Sequence, residues 1–421
     1  MEMVLEFLRD VLSQPALLIG IMSCVGLVAL KRPFHKVMTG TLKPILGYLM
    51  LAAGAGVIVS NLDPLGKMIE HGFHITGVVP NNEAIVAVAQ KVLGVETMSI
   101  LVVGLLMNLC IARFTKFKYV FLTGHHSLFM ACLMSAVLGT AGLSGMELIL
   151  VGGFLMGAWS AISPAIGQSY TSKVTDGDEI AIGHFGSLGY YLSAWVAQYV
   201  GKAEDSTEDI EIPEKWGFLR DSTLSTALTM IVFYLIAAIA AGSEFVSTLS
   251  GDMSPYLYAV MSAMNFAVGV TIVYSGVRMI LGDLIPAFQG IATKIIPNAI
   301  PAVDCAVFFT YAPTAVVLGF LSSFIGGIIG MLILGAVGGV LIIPGLVPHF
   351  FCGATAGIYG NATGGRRGAA VGAFLNGLAI TFLPAMALPV LGQLGFQNTT
   401  FGDADFAVMG LVLGNAYEWV G

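Results

Sequence analysis

Long apolar runs, each close to the length of one membrane crossing, alternate with short polar stretches along most of the chain. Because a transmembrane helix needs about 20 mainly apolar residues, this pattern predicts two sets of five crossings. The first set covers about residues 15–30, 37–60, 97–112, 119–140 and 145–166, and the second covers about 222–248, 256–279, 314–333, 337–360 and 369–392. The C-terminal stretch holds too few apolar residues for a comfortable eleventh crossing. We therefore expect an all-α polytopic membrane protein with about 10–11 transmembrane helices.

Composition strengthens this interpretation. Of the 421 residues, 57% are hydrophobic and only 10% are charged, whereas about a quarter of a typical soluble sequence is charged. The net charge of −7 comes without a basic stripe, and the acids concentrate at 202–215, which we interpret as a solvated connection. An ordinary soluble enzyme and a nucleic-acid-binding protein are thereby excluded. The sequence contains no P-loop, so it does not itself encode ATP-driven transport.

Basic clusters at 31–36, 113–118 and 364–368 orient the chain, because loops rich in lysine and arginine stay in the cytoplasm. The N-terminus then lies outside. It lacks a basic region followed by a cleavage site, so we interpret it as mature sequence. With this orientation the two sets of spans begin on opposite sides of the membrane, which is the arrangement of an inverted repeat.

A short sequence similarity between the two halves supports the inverted repeat. "LDP" (62–64) precedes "PNNE" (80–83), and "LIP" (284–286) precedes "PAVD" (301–304). Proline interrupts helices, and broken helices near the membrane midplane are typical of secondary transporters. We therefore predict re-entrant breaks at both places. The resulting regions are a first repeat at 1–167, an amphipathic segment with the acidic loop at 168–221, a second repeat at 222–395 and a partial span at 396–421.

Asp304 and Glu83 lie on the two predicted breaks. A charged side chain at the bilayer centre costs about 2.5–3.5 kcal/mol on insertion scales, so such residues are candidates for function. For Asp304 there is also a structural alternative, since its carboxylate could cap a short helix that begins at Cys305.

Histidines supply the other candidates. His125 and His126 lie inside the fourth predicted span, and a histidine can both donate and accept hydrogen bonds near neutral pH. Adjacent helix positions point about 100° apart, so we expect only one of the two to face a given cavity. His184 lies in a glycine-rich amphipathic segment that either folds back into the cavity or forms a surface helix. His349 occupies the corresponding place in the second half, where a role as a ligand is less favoured than structural packing.

The five cysteines lie in apolar surroundings and form no CxxC pair. We interpret them as packing residues, and we expect neither a disulfide framework nor a metal site nor any other cofactor.

Four stretches together resemble one known family. "FLTGHHSLF", "KVTDGDEIAIGH", "IPAVDCAVFFTYAPTAVVLGF" and "LIIPGLVPHFF" resemble the membrane-embedded IIC component of bacterial phosphoenolpyruvate-dependent sugar phosphotransferase systems, of the L-ascorbate type, from about residue 12 to about 395. The resemblance implies a homodimeric permease of the bacterial inner membrane with eleven spans and a moving core domain. It also implies that a separate IIB subunit, charged by IIA, phosphorylates the sugar during uptake. The chain would then be the membrane subunit of a sugar phosphotransferase, and whether it is itself an enzyme stays open.

The resemblance also implies a set of substrate contacts. Asp304 would hydrogen-bond the sugar and would orient or deprotonate the hydroxyl that attacks the phosphoryl group. The implied contacts are Asn82, Glu83, His125, His126, Ser127, Leu128, Phe129, His184, Phe185 and Asp304.

The match departs from the ascorbate carrier at four of these positions. Asn82 and Glu83 replace a threonine and a tyrosine, and Phe129 and Phe185 replace glutamines. Since an added carboxylate would repel the ascorbate anion, a neutral polyol such as galactitol remains open as the substrate. A different class also remains open, namely a proton- or ion-coupled secondary transporter of a small polar solute, in which Glu83, Asp304 and the histidines relay protons. A membrane receptor without transport is a third reading, and the buried polar residues argue against it.

Overall fold

A computed structural model describes residues 11, 14–74, 77–80, 82–177, 179–210, 222–392 and 399–420. Apolar helices make up most of this part of the chain, which confirms the predicted all-α polytopic membrane class. The helices are α1 (Pro15–Ala29), α2 (Phe34–Phe73), α3 (Asn82–Phe114), α4 (Gly124–Thr140), α5 (Gly145–Thr175), α6 (Ser187–Val200), α7 (Ser222–Ala241), α8 (Ser243–Ser250), α9 (Pro255–Lys294), α10 (Pro313–Ala336), α11 (Leu346–Gly392) and α12 (Ala404–Val420).

Fewer helices than predicted meet the length and hydropathy expected of a full crossing. Within the described residues six do so, and the pair α7 and α8, bent by 116°, makes a seventh if it is one span. The predicted spans at 15–30 and 119–140 correspond to helices of only 15 and 17 residues, which is short for a crossing of about 20. The last two predicted spans are joined in α11.

Helix α11 is interrupted at the predicted basic cluster. Gly364 and Gly365 leave the helical conformation, and Gly365 has φ 59°, a region that a glycine adopts without strain. The acidic segment 201–210 packs over this break, since the amide of Arg366 donates to the carbonyl of Asp205. Glu208 accepts hydrogen bonds from the amides of Thr314 and Ala315 at the start of α10. This part of the predicted solvated loop therefore has a structural role as a helix cap.

The helices pack in two groups. The first contains α1, α2, α7, α8 and α9, and the second contains α3 to α6 and α10 to α12. Helices α2 and α9, each 40 residues long, cross at glycines. A Cβ added to Gly276 would lie 2.6 Å from the carbonyl oxygen of Gly47, and one added to Gly54 would lie 2.8 Å from that of Gly269. Small residues let membrane helices approach this closely, where dispersion contacts replace the hydrophobic effect.

Short parallel strands occupy the two predicted helix breaks. The strands are β1 (Val79–Pro80), β2 (Tyr119–Phe121), β3 (Ala181–Ile182), β4 (Ile300–Val303) and β5 (Thr399–Thr400). Strand β4 lies between β2 and β3, and β1 pairs with β5. Each strand at a break thus pairs with strands from the other half of the chain, which supplies partners for backbone groups that a membrane would leave unsatisfied. The four-region division and the inverted repeat stay predictions.

Candidate functional site

The carboxyl ends of β2, β3 and β4 bring three segments to one place. Because the three strands are parallel neighbours, the residues that follow them lie at the same edge of the sheet. Strand β2 leads into the start of α4 with its two histidines, β3 leads to His184, and β4 leads to Asp304. The approach is close at Gly183, where an added Cβ would lie 2.4 Å from the carbonyl oxygen of Ala302. Glycine is therefore required at this position.

Asp304 uses its two carboxylate oxygens for different contacts. It is 8% exposed, and it caps the 3₁₀ helix Cys305–Thr310 by accepting a 3.1 Å hydrogen bond from the amide of Ala306 at Oδ1. The other oxygen, Oδ2, lies 3.5 Å from Nε2 of His125. The capping geometry proposed as the alternative is thus present, and it leaves one oxygen of Asp304 directed at a histidine.

His125 connects Asp304 to the other helix group. Its Nδ1 lies 3.4 Å from the hydroxyl of Tyr48 on α2. With Nε2 donating towards the carboxylate, Nδ1 accepts from the tyrosine. Tyr48 is a site residue that sequence reasoning missed, because a tyrosine inside an apolar span is an ordinary core residue and gives no local signal.

His126 and His184 lie against each other, with ring centroids 3.8 Å apart. The amide of Phe185 donates to Nδ1 of His126 at 3.4 Å, and the amide of Gly186 donates to Nδ1 of His184 at 3.1 Å. An amide N–H can only donate, so both Nδ1 atoms accept and both Nε2 atoms carry the proton. Each ring is therefore a neutral N–H donor.

The adjacent residues His125 and His126 both belong to one cluster of side chains. The rings of His125 and His126 are 4.8 Å apart. They diverge as helix geometry requires, and each meets a different partner, Asp304 for the first and His184 for the second. The β3 segment, folded back against α4, accounts for the second contact.

Aromatic rings form one side of the cluster. Phe185 is fully buried and stacks on Phe121 with centroids 4.6 Å apart, while Phe129 lies edge-on to His125 at 5.7 Å. Ser127 is buried and donates to the carbonyl of Thr123 at 3.3 Å. Leu128 is half-buried on the same helix turn. Of these three residues, Phe129 makes ring contacts with His125 and His126.

Asn82 hydrogen-bonds the carboxylate of Asp403, a buried acid that sequence reasoning missed. Its amide nitrogen donates to Oδ2 of Asp403 at 2.5 Å, and its oxygen accepts from the amide of Gly402 at 2.9 Å. Cys352 donates to Oδ1 of Asp403 at 2.7 Å. The signal for Asp403 was an acid directly before an apolar stretch, in a segment that we had interpreted as a partial span. The side chain of Glu83 lies outside the described residues.

Two trios of side chains have the composition of a metal site. They are His184 with Asp304 and Cys305, and His184 with Cys352 and Asp403, and the ligand atoms within each trio lie within 4.8 Å of one another. However, Nδ1 of His184 already accepts from Gly186 and, at 2.8 Å, from the hydroxyl of Tyr190, while Nε2 carries the proton. Neither nitrogen offers a free lone pair to a metal ion in this arrangement, and the N–H at Nε2 is available for donation.

Two other features lie away from this cluster. His349 is buried and its Nδ1 lies 2.9 Å from the hydroxyl of Ser323, which fits the predicted packing role. A cavity of about 260 Å³ is lined by Lys173, Glu208, Tyr311 and other residues outside the cluster. We place the site at the histidines and Asp304, because buried polar groups are the costly feature that needs a function.

Comparison with known proteins gives two matches. The sequence model of a family described as the PTS system sugar-specific permease component, GAT type, matches residues 10–405. The ascorbate-specific PTS system EIIC component of Mycoplasma pneumoniae is 27% identical over 424 aligned residues, which cover 86% of this chain and 63% of that relative. The chain therefore spans less than two thirds of the relative's length. Both matches agree with the resemblance found in the sequence.

Proposed function

Since the chain belongs to the GAT-type family of PTS sugar-specific permease components, we propose that it binds an extracellular sugar or sugar acid. It would then present this substrate for phosphorylation during uptake. Such a component is a multi-pass protein of the cell membrane. The observation that carries the proposal is the cluster of half-buried His125 with buried Asp304, His126 and His184. Carboxylate oxygens accept hydrogen bonds from sugar hydroxyls, and imidazole N–H groups donate to sugar oxygens.

The proposed substrate is L-ascorbate or a related compound. The curated relative is named as ascorbate-specific, which supports a sugar acid. Phe129 and Phe185 pack against the rings of His125 and His126, and neither side chain can hydrogen-bond the ligand as a glutamine would. A neutral polyol such as galactitol is therefore the second compound to test.

The proposed mechanism assigns the phosphoryl donor to a separate protein. A phosphocysteine on a IIB subunit, charged by IIA, would meet the sugar at the cytoplasmic side of the membrane. In-line phosphoryl transfer depends mainly on positioning and charge stabilisation. In this proposal the sugar hydroxyl attacks phosphorus while the phosphorus–sulfur bond of the IIB phosphocysteine breaks and the cysteine leaves as a thiolate. The oxygen of Asp304 that faces His125 accepts a hydrogen bond from this hydroxyl, and so orients it or takes up its proton. His125 is held in turn by Tyr48.

A homodimer, the core domain moving relative to the other helix group, and the inverted repeat belong to the same proposal. Helices α1, α2, α7, α8 and α9 would form the stationary part, because they contain the glycine crossing between α2 and α9. The histidine cluster lies in the other group and meets the first one at Tyr48. A relative movement of the groups would therefore change the surroundings of His125.

The experiment is uptake by proteoliposomes that contain the purified chain. Labelled L-ascorbate and labelled galactitol are offered outside, with phosphorylated IIB, unphosphorylated IIB or a proton gradient on the inside. We expect a phosphorylated sugar to accumulate only with phosphorylated IIB. Accumulation of the unmodified solute with the proton gradient alone would overturn the proposal and favour the proton-coupled class.

A further inference from the structure

Asp403 is a buried acid outside the predicted contact set. It is 4% exposed and follows β5, directly before α12. His184 follows β3 and precedes α6, and Asp304 follows β4 and precedes the 3₁₀ helix. Three residues able to bind a sugar hydroxyl therefore stand at the same kind of position, between a short strand and a helix.

The contacts of Asp403 differ from those of a structural cap. Its oxygens accept from Asn82 at 2.5 Å and from Cys352 at 2.7 Å, both on other helices. Two residues further on, Asp405 has the contacts of a structural cap. It accepts hydrogen bonds from the amide of Leu188 and the hydroxyl of Ser187 at the start of α6. Asp405 thus serves as a cap, whereas α3 and α11 hold Asp403 in place.

The hydrogen-bonding capacity of Asp403 is only partly used. An ionised carboxylate offers about four acceptor positions, and the described residues supply two donors. Both donors are neutral groups, which compensate a buried charge less fully than a cation does. The carboxylate is therefore able to accept further hydrogen bonds from a ligand with hydroxyl groups.

Asp403 lies beside the proposed sugar site. One carboxylate oxygen is within 4.8 Å of a ring nitrogen of His184, and an oxygen of Asp304 is also within 4.8 Å of a ring nitrogen of the same histidine. Two carboxylates thus flank a neutral imidazole. An anionic ligand beside these two carboxylates would meet like charges in a region of low dielectric, where repulsion is strong.

We propose that Asp403 is a specificity-determining residue, which accepts a hydroxyl hydrogen bond from a neutral polyol and disfavours an anion such as ascorbate. Asn82 and Cys352 are positioning residues that hold its carboxylate. This inference rests on the proposed permease function and, of the two substrates offered there, favours the neutral polyol over L-ascorbate. It also changes the role of Asn82, whose amide contacts Asp403 and Gly402.

The test measures equilibrium binding of labelled galactitol and labelled L-ascorbate to the purified full-length chain. We expect the wild type to prefer galactitol. Asp403→Asn removes the charge, so the affinity ratio of galactitol to ascorbate should fall about tenfold or more, as expected for loss of a hydrogen bond to a charged group. Damage to the fold would lower both affinities together and would leave the ratio unchanged.

Two further variants keep the test decisive. Asp403→Glu retains the charge and shifts its position, so galactitol binding should weaken while ascorbate stays disfavoured. Asp63→Asn is the control, because this aspartate is exposed and pairs with Lys67 on the same helix. An unchanged ratio in an Asp403→Asn variant whose two affinities match those of the wild type, unchanged galactitol affinity in Asp403→Glu, or a wild type that prefers ascorbate overturns the inference. A wild type that binds neither compound overturns the proposed function itself.

Discussion

At the scale of single residues, Asp304 shows how one buried acid can cap a helix and still direct an oxygen at the proposed site. The oxygen that accepts from Ala306 fixes the side chain, and the fixed side chain holds its second oxygen 3.5 Å from His125. Preorganisation of this kind places a binding group without an entropy cost at the moment of binding. The sequence left open whether Asp304 caps a helix or contacts the substrate, and the two roles are thus compatible.

Asp304→Asn should abolish sugar uptake without preventing membrane insertion. An asparagine oxygen can still accept from the amide of Ala306, since asparagine is as good an N-cap as aspartate. The charge that faces His125 is lost. Uptake of labelled sugar in cells and the amount of protein in the membrane fraction are the two measurements. Wild-type uptake by this variant would remove Asp304 from the proposed site.

Tyr48→Phe should weaken transport less than the aspartate substitution does. The ring and its packing are retained, and only the hydroxyl that lies 3.4 Å from His125 is removed. A neutral hydrogen bond contributes about 0.5–1.5 kcal/mol, so we expect a decrease of about two- to tenfold in uptake rate. Tyr199→Phe is the matched control, because Tyr199 is 72% exposed. Equal rates in the wild type and Tyr48→Phe would contradict the assigned role.

At the scale of helices and strands, the sequence predicted where helices break but not what fills the breaks. Pro80 and Pro301 marked both places, because proline cannot continue a helix. Strands β1 and β4 have only two and four residues, too few for an alternating pattern to be recognised. Their partners come from the other half of the chain, and no local signal reveals such pairing.

Contacts between residues distant in the sequence also limited the prediction of the site. His125, His126, His184 and Asp304 could be predicted because polar residues in apolar surroundings are conspicuous. Tyr48 and Asp403 could not, since their importance arises from contacts with residues 77 and 321 positions away. Sequence spacing carries no information about such contacts.

Gly276→Ala should destabilise the protein through the crossing of α2 and α9. The new Cβ would lie 2.6 Å from the carbonyl oxygen of Gly47 and from the amide nitrogen of Leu51. Both are backbone atoms that cannot rotate away, and overpacking of this kind costs about 1–3 kcal/mol. The midpoint of thermal unfolding in detergent measures the effect.

Gly56→Ala is the control for this substitution, because an added Cβ there has no atom within 4 Å. Its unfolding midpoint should stay at the wild-type value or rise slightly, since alanine has the higher helix propensity. Equal unfolding midpoints for Gly276→Ala and Gly56→Ala would show that α2 and α9 do not cross at Gly276 and Gly47.

At the scale of the whole molecule, the site draws on both halves of the chain and on both helix groups. Tyr48, His125 and His184 come from the first half, and Asp304 and Asp403 come from the second. The two helix groups also pack against each other away from the site, since Phe233 of α7 contacts Phe320 and Phe324 of α10, and Phe266 of α9 contacts Phe350 of α11.

A fragment that contains residues 1–210 should therefore bind no sugar, even when it inserts into a membrane. It lacks Asp304, and it lacks β4, against which β2 and β3 are aligned. Binding of the labelled sugars to the fragment and to the full chain, purified in the same detergent, provides the comparison. Binding by the fragment at the affinity of the full chain would show that the second half is dispensable for the site.

The central position of β4 also sets the order of events during synthesis. Strand β2 ends at Phe121 and β4 begins at Ile300, so at about 5–20 residues per second the ribosome needs roughly 10–40 s to deliver the missing strand. During that interval β2 and β3 have no strand between them. Asp403 arrives about 100 residues later still. A translation product that ends before Ile300 therefore lacks the strand that aligns β2 with β3, and the site is complete only after Asp403 has been added.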